Sequence, residues 1–140
     1  MSNAIGNGVS LRGIYDEDSQ YAFNLAAGIK KGQDEGKAVS IDPTAPNTVK
    51  LAGDGDLLVG RLETIENRVT EGLNVGTVSL EGGLDFLVKA GYAATPGDRI
   101  VGGGGGTVRK ADPAKDAFGG YSPWCVVEVL ASGNVVAIEL

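Results

Sequence analysis

From Gly36 onward the chain alternates apolar and polar residues in runs of four to eight, each closed by glycine, proline, aspartate or asparagine. "KAVSID" sets Ala38, Val39 and Ile41 ahead of the breaker "PTAPN", and "TVKLA" then sets Val49 and Leu51 against Thr48 and Lys50. "GDGD" reads as a turn. "LLVGRLETIENRV" carries Leu58, Gly60, Leu62 and Thr64 on one face and Val59, Arg61, Glu63 and Ile65 on the other. "NVGTVSLE", "LDFLVKAG", "DRIVGG", "GTVRKA", "WCVVEVLA" and "NVVAIEL" follow in the same manner. Short strands at this spacing predict an all-β fold, a small barrel or sandwich of short antiparallel strands. One helical candidate interrupts them: "DPAKDAFGG", with Asp112 as cap, Pro113 in the first turn and Gly119 as stop, at most two turns long.

Residues 1–34 follow neither period. "MSNAIGNGVSLRG" is punctuated by glycine and asparagine, and "IYDEDSQYAFNLAAGIKKGQDEG" mixes carboxylates with Tyr15, Tyr21, Phe23 and Leu25. This predicts an extended N-terminal arm over 1–34, with a strand or short helical turn near 20–27, and a β domain over 35–140. A faint echo runs through that domain. "GKAVSID" and "TVKLA" are answered by "GDRIVGG" and "TVRKA" about 60 residues later, and "GRLETI" by "CVVEVL", as two related hairpin modules would be. Chance likeness between short β patterns competes with that reading.

Composition narrows the function classes. Glycine supplies 23 of 140 residues, which in a chain 42% apolar marks many turns in a folded protein. Histidine is absent, which removes the commonest general base and the commonest zinc ligand. The single cysteine, Cys125 in "WCVVEVL", is expected to be a small buried apolar residue with an inert thiol. A net charge of −6 repels phosphate backbones, so direct nucleic-acid binding is not expected. No apolar stretch approaches the roughly 20 residues of a membrane span, so no membrane partner is expected either.

The motifs that could carry chemistry have simpler explanations. The glycine run 102–106 is followed by Thr107, Val108 and Arg109, so the lysine and hydroxyl of a phosphate-binding loop are missing. No long helix follows to offer its N-terminus to a pyrophosphate. The run is expected to be a hairpin tip between "DRIV" and "TVRKA". "DGD" at 54–56 lacks the further oxygens of a calcium loop, and Asp16, Glu17 and Asp18 alternate in direction on an extended chain. Ser122 has neither a nucleophile-elbow setting nor a histidine to activate it. No catalytic constellation, cofactor site or metal site is predicted, and the chain is not expected to be an enzyme. Trp124, beside Pro123, reads as a core plug or an interface anchor.

The ordered phrases "GKAV", "TVKLAGDGD", "GRLE", "VGTV" and "KAG…PGDRIV", spread over residues 36–112, resemble small capsid decoration (cement) proteins of tailed bacteriophages. The phrases are individually common turn chemistry, but their order and spacing are distinctive. The arm and the stretch after Asp112 match less clearly. The resemblance implies a non-enzymatic virion protein on the outer capsid surface, a homotrimer bridging major capsid protein subunits and so stabilising the expanded shell. On that reading Ile14, Tyr15, Tyr21 and Phe23 are the arm's anchors on the capsid, and Trp124 sits at a trimer or domain contact. The alternative from another class is a glycan- or host-surface-binding β module, for which the eight aromatic residues are a thin supply.

Overall fold

The computed structural model of this chain describes residues 20–68 and 73–140. The fold is all-β. Strands β1 (Gln20–Leu25), β2 (Ala38–Ile41), β3 (Thr48–Leu51), β4 (Gly60–Arg68) and β5 (Leu73–Ser79) close into a barrel in the cyclic order β1-β3-β2-β4-β5. β1 runs antiparallel to β5, from Gln20 opposite Ser79 to Asn24 opposite Val75, and parallel to β3 at Asn24–Thr48 and Leu25–Val49. The first barrel therefore begins no later than Gln20. The expected boundary at residue 34 is corrected: 20–25 is an integral strand, because Leu25 joins Val39, Val49, Leu62 and Val78 in the barrel's core.

The remaining strands are β6 (Leu84–Phe86), β7 (Ile100–Gly104), β8 (Thr107–Lys110), β9 (Trp124–Val129) and β10 (Val135–Glu139). β9, β10 and β6 form one sheet, and β7 and β8 a hairpin. A parallel bridge at Val88–Val108 joins β6 to β8, and an antiparallel bridge at Arg99–Cys125 joins β7 to β9. With those bridges the second half has the cyclic order β6-β8-β7-β9-β10, that of the first.

The correspondence holds residue by residue. Phe23 opposes Gly76 as Phe86 opposes Val135, and Tyr21 opposes Val78 as Leu84 opposes Ala137. Val39, Ser40 and Ile41 face Leu51, Lys50 and Val49 as Ile100, Val101 and Gly102 face Lys110, Arg109 and Val108. Gly36 N–H donates to the Leu62 carbonyl and Leu62 N–H to that of Lys37; Gly97, Val126 and Asp98 repeat this pair of bonds. Each copy is entered by the same tight turn, in which Lys37 N–H donates to the Asp34 carbonyl and Asp98 N–H to the Thr95 carbonyl. Gly36 (φ 88°) and Gly97 (φ 96°) hold the third position of these turns, a conformation side chains resist. Asn47 (φ 50°), the positive-φ residue other than glycine among the described residues, stands where the second copy has Gly106 (φ 83°). The echo in the sequence is thus a duplicated barrel, not two hairpin modules of one.

Even the irregularities are repeated. β4 slips register between Leu62 and Thr64, and β9 between Val126 and Glu128. The slip overturns the expected two-face pattern of β4. One extra residue at Glu63 resets the alternation, so Leu62 and Ile65 are both buried. Val59 N–H donates to the Val39 carbonyl. The twin of Val59 is Pro123, which has no N–H, and the Ser122 hydroxyl donates to the Ile100 carbonyl in its place.

The expected helix at 112–120 is confined to a single turn and a 3-10 turn at Ala117–Gly120. Asp112 does cap, accepting the Ala114 N–H at 2.9 Å. The next carboxylate, Asp116, bonds back to the Asp112 N–H and fixes a loop instead of a longer helix.

The glycine run joins the barrels. Ala38 N–H donates to the Gly106 carbonyl at 2.9 Å and Gly106 N–H to that of Ala52 at 3.1 Å. Gly55 N–H donates to the Gly102 carbonyl at 2.9 Å and Gly102 N–H to that of Asp56 at 2.7 Å. A Cβ on Gly102 would fall on the Gly53 carbonyl oxygen, and one on Gly106 would press within 2.7 Å of the Lys37 Cβ. The run is a hairpin tip as expected, and its bare backbone lies against the first barrel.

Candidate interaction surface

Of the anchors expected from the sequence, Ile14 and Tyr15 lie outside the described residues, as do the carboxylates at 16–18. Tyr21 and Phe23 are two residues apart on β1 and so share a side of the strand. Their rings meet at 5.2 Å with a 45° tilt. Phe23 is half-buried against the first barrel's core, while Tyr21 is 54% exposed. The pair forms an aromatic ridge on β1, near its start at Gln20.

Trp124 is elsewhere and does something else. It is fully buried, meets Phe86 edge-to-face at 5.4 Å, and donates its indole N–H to the Leu58 carbonyl at 3.3 Å. Of the two expectations for Trp124, a trimer or a domain contact, the structure describes a contact within the chain: the side chain is buried and binds the second barrel to a loop of the first. Cys125 is buried as expected. Ser122 is also buried, its hydroxyl donating to Ile100 and accepting the Trp124 N–H, so its role is structural.

The acidic turns are staples of the duplicated fold. Asp56 accepts the Gly53 N–H at 2.9 Å, pairs with Lys50 at 2.9 Å and takes the Ser40 hydroxyl. Its twin Asp116 accepts the Asp112 N–H at 2.6 Å and pairs with Arg109, the twin of Lys50, at 2.7 Å. Arg109 also holds Asp54 at 2.8 Å, so both carboxylates of "DGD" are engaged by basic side chains. Burial works to raise the pKa of Asp56, but Lys50 and the Gly53 N–H outweigh it and leave it below the ordinary carboxylate value. Hydrogen bonds from Arg109 and the Asp112 N–H hold Asp116 down at about 2.

A pKa lower in the folded than in the unfolded chain stabilises the fold above the unfolded value and ceases to as pH falls through the folded one. Asp116 is thus expected to contribute about 1–2 kcal/mol above pH ~4, lost progressively towards pH ~2. Urea titrations across that range should show the loss, and Asp116→Asn should flatten it. An unchanged slope in the variant would exclude Asp116 as the source.

The described surface also carries shallow clefts. One, of about 270 Å³, lies between the barrels and is lined by Glu35, Arg61, Phe86, Leu87, Leu130 and Asn134 among others. The second, of about 370 Å³, is lined by Asp54, Lys89, Arg109, Lys110, Asp112 and Lys115. In them Arg61 pairs with Glu63 and Arg109 with Asp54. The signal that decides for a strand over the helical turn near 20–27 is the alternation Tyr21, Phe23, Leu25, inside an acidic context. Comparison with protein-family models and with curated proteins finds no match to this chain.

Proposed function

We propose that this chain is a structural virion protein that binds the outer surface of an expanded phage capsid as a homotrimer and stabilises the shell by bridging major capsid protein subunits. The observation that carries the reading is the Tyr21–Phe23 ridge. An exposed aromatic on a strand held within a closed barrel can be buried by a partner with little loss of conformational freedom, the usual make-up of an interface anchor. The phrases behind the resemblance support it through the fold. "GKAV" supplies a tight turn and the start of β2, "TVKLAGDGD" is β3 with its stapled turn, and "PGDRIV" is the twin entry to β7. The mechanism is linkage: a protein that binds the intact shell and not its parts shifts the equilibrium towards the shell. Three chains acting together multiply modest contacts.

The test is cosedimentation with undecorated expanded capsids, using the full chain, the Tyr21→Ala variant and a chain beginning at residue 20. A cut at residue 24 is unsuitable, because it removes most of β1. The full chain is expected to pellet with shells, Tyr21→Ala to bind roughly tenfold more weakly, and the shortened chain to stay folded but unbound. Full-length protein left in the supernatant, or binding glycans on an array instead, overturns the reading. Undiminished binding by the shortened chain removes the arm from it.

A further inference from the structure

The two barrels of one chain do not meet face to matching face. The β7–β8 tip of the second barrel docks on Ala38 and the 52–56 turn of the first, so the contact is head-to-tail. Because the barrels are copies, each side of that contact has a twin. The twin of the tip is the β2–β3 tip of the first barrel, with Ile41 standing for Gly102 and Asn47 for Gly106. The twin of the docking face lies on the second barrel, with Arg99 standing for Ala38 and Ala111 for Ala52.

Both twins are open to solvent except at Ala111, which is 7% exposed. Ala38 is fully buried in the chain, whereas Arg99 is exposed. Gly102 is buried, whereas Ile41 is 54% exposed, and residues 44–47 beyond it are exposed as well. Beside Arg99, whose guanidinium reaches the Ser122 carbonyl, stands Tyr121, 59% exposed. One open twin thus presents a large aliphatic side chain, and the other an aromatic ring and a guanidinium with an apolar stem.

We propose that a second copy of this chain occupies these surfaces: the β2–β3 tip around Ile41 of one molecule docks on the Arg99–Tyr121 face of the next, continuing between chains the contact that joins the barrels within one. The new contact is not a replica. Side chains at Ile41 and Asn47 hold the tip further off than the glycines do, so side-chain packing replaces part of the backbone bonding. A head-to-tail contact of this kind generates a closed ring where the rotation permits and an open fibre where it does not.

The inference rests on the duplication and not on capsid binding, and it is read in solution without shells; binding to shells is read separately by cosedimentation. Wild-type protein is expected to scatter light as more than one chain. Ile41→Glu should weaken self-association at least tenfold while leaving circular dichroism and the melting temperature unchanged, since Ile41 lies outside both cores. Combining Asn47→Cys with Arg99→Cys should yield, on oxidation, chains linked to one another that separate on reduction; neither single substitution should. A monomeric wild type, an Ile41→Glu protein that associates as before, or a double variant that links only within its own chain would each overturn the proposal.

Discussion

Replacing Gly102 by valine is expected to cost more than about 3 kcal/mol and to break the single unfolding transition into two. Gly102 is bonded to the first barrel through both backbone groups, and its missing Cβ makes room for the Gly53 carbonyl oxygen and the Ala52 methyl group. Neither neighbour can give way cheaply, since one is backbone and the other is in the core. Side-chain atoms there must prise the barrels apart and break the bonds at Gly55 and Asp56. Gly105, three residues on, is the control. A Cβ there meets nothing within 4 Å, and alanine should cost only about 1 kcal/mol, from its φ of +61°. Differential scanning calorimetry of both variants reads the outcome. A Gly102→Val protein that melts in one transition near the wild-type temperature would show that the barrels do not depend on that contact.

Trp124→Ala is expected to destabilise the chain by about 4 kcal/mol, close to the range that leaves a domain of this size unfolded. The substitution empties the second barrel's core beside Phe86 and leaves the Leu58 carbonyl without its indole partner. Trp124→Phe should recover most of the packing and little of the hydrogen bond. Urea midpoints of the two variants separate these contributions. A loss below about 1 kcal/mol in the alanine variant would mean that Trp124 does not fill that core. Trp124 is the sole tryptophan, so its fluorescence in the wild type reports the second barrel and its junction with the first.

The strands themselves were readable because turns bound them. Proline, glycine and Asp/Asn punctuation places β2, β3, β7, β8, β9 and β10 within a residue or two of where they lie. Three features were legible only in part or not at all, each for a physical reason. β1 alternates over Tyr21, Phe23 and Leu25 only, and its partners, Thr48 and Val75 among them, are far away in sequence. The bulge at Glu63 cannot be seen in an alternation that assumes one residue per pleat, yet it decides that Ile65 points inward. The duplication left only a faint echo in the sequence, because the cores have diverged in volume. Leu25, Leu62 and Val78 of the first barrel are matched by Val88, Val126 and Ala137 of the second. Backbone bonds and φ angles survived where side-chain identity did not. As for the surface, Tyr21 and Phe23 were legible as unusual aromatics in a polar stretch, whereas the choice left open for Trp124, core plug or interface anchor, depends on partners, Phe86 and Leu58, that no local pattern reveals.

The two cores are not symmetric in what they need. The cluster inside the first barrel draws its buried members from between Leu25 and Val78 alone. The second cluster is completed by Ala38, Ala52 and Leu58 of the first barrel, with Trp124 leaning across to them. A ribosome releases the chain from its N-terminus, so the self-sufficient barrel is finished before the dependent one is made. The order of synthesis then supplies the later copy with a ready template, and no half-built second barrel has to wait with its apolar face in water.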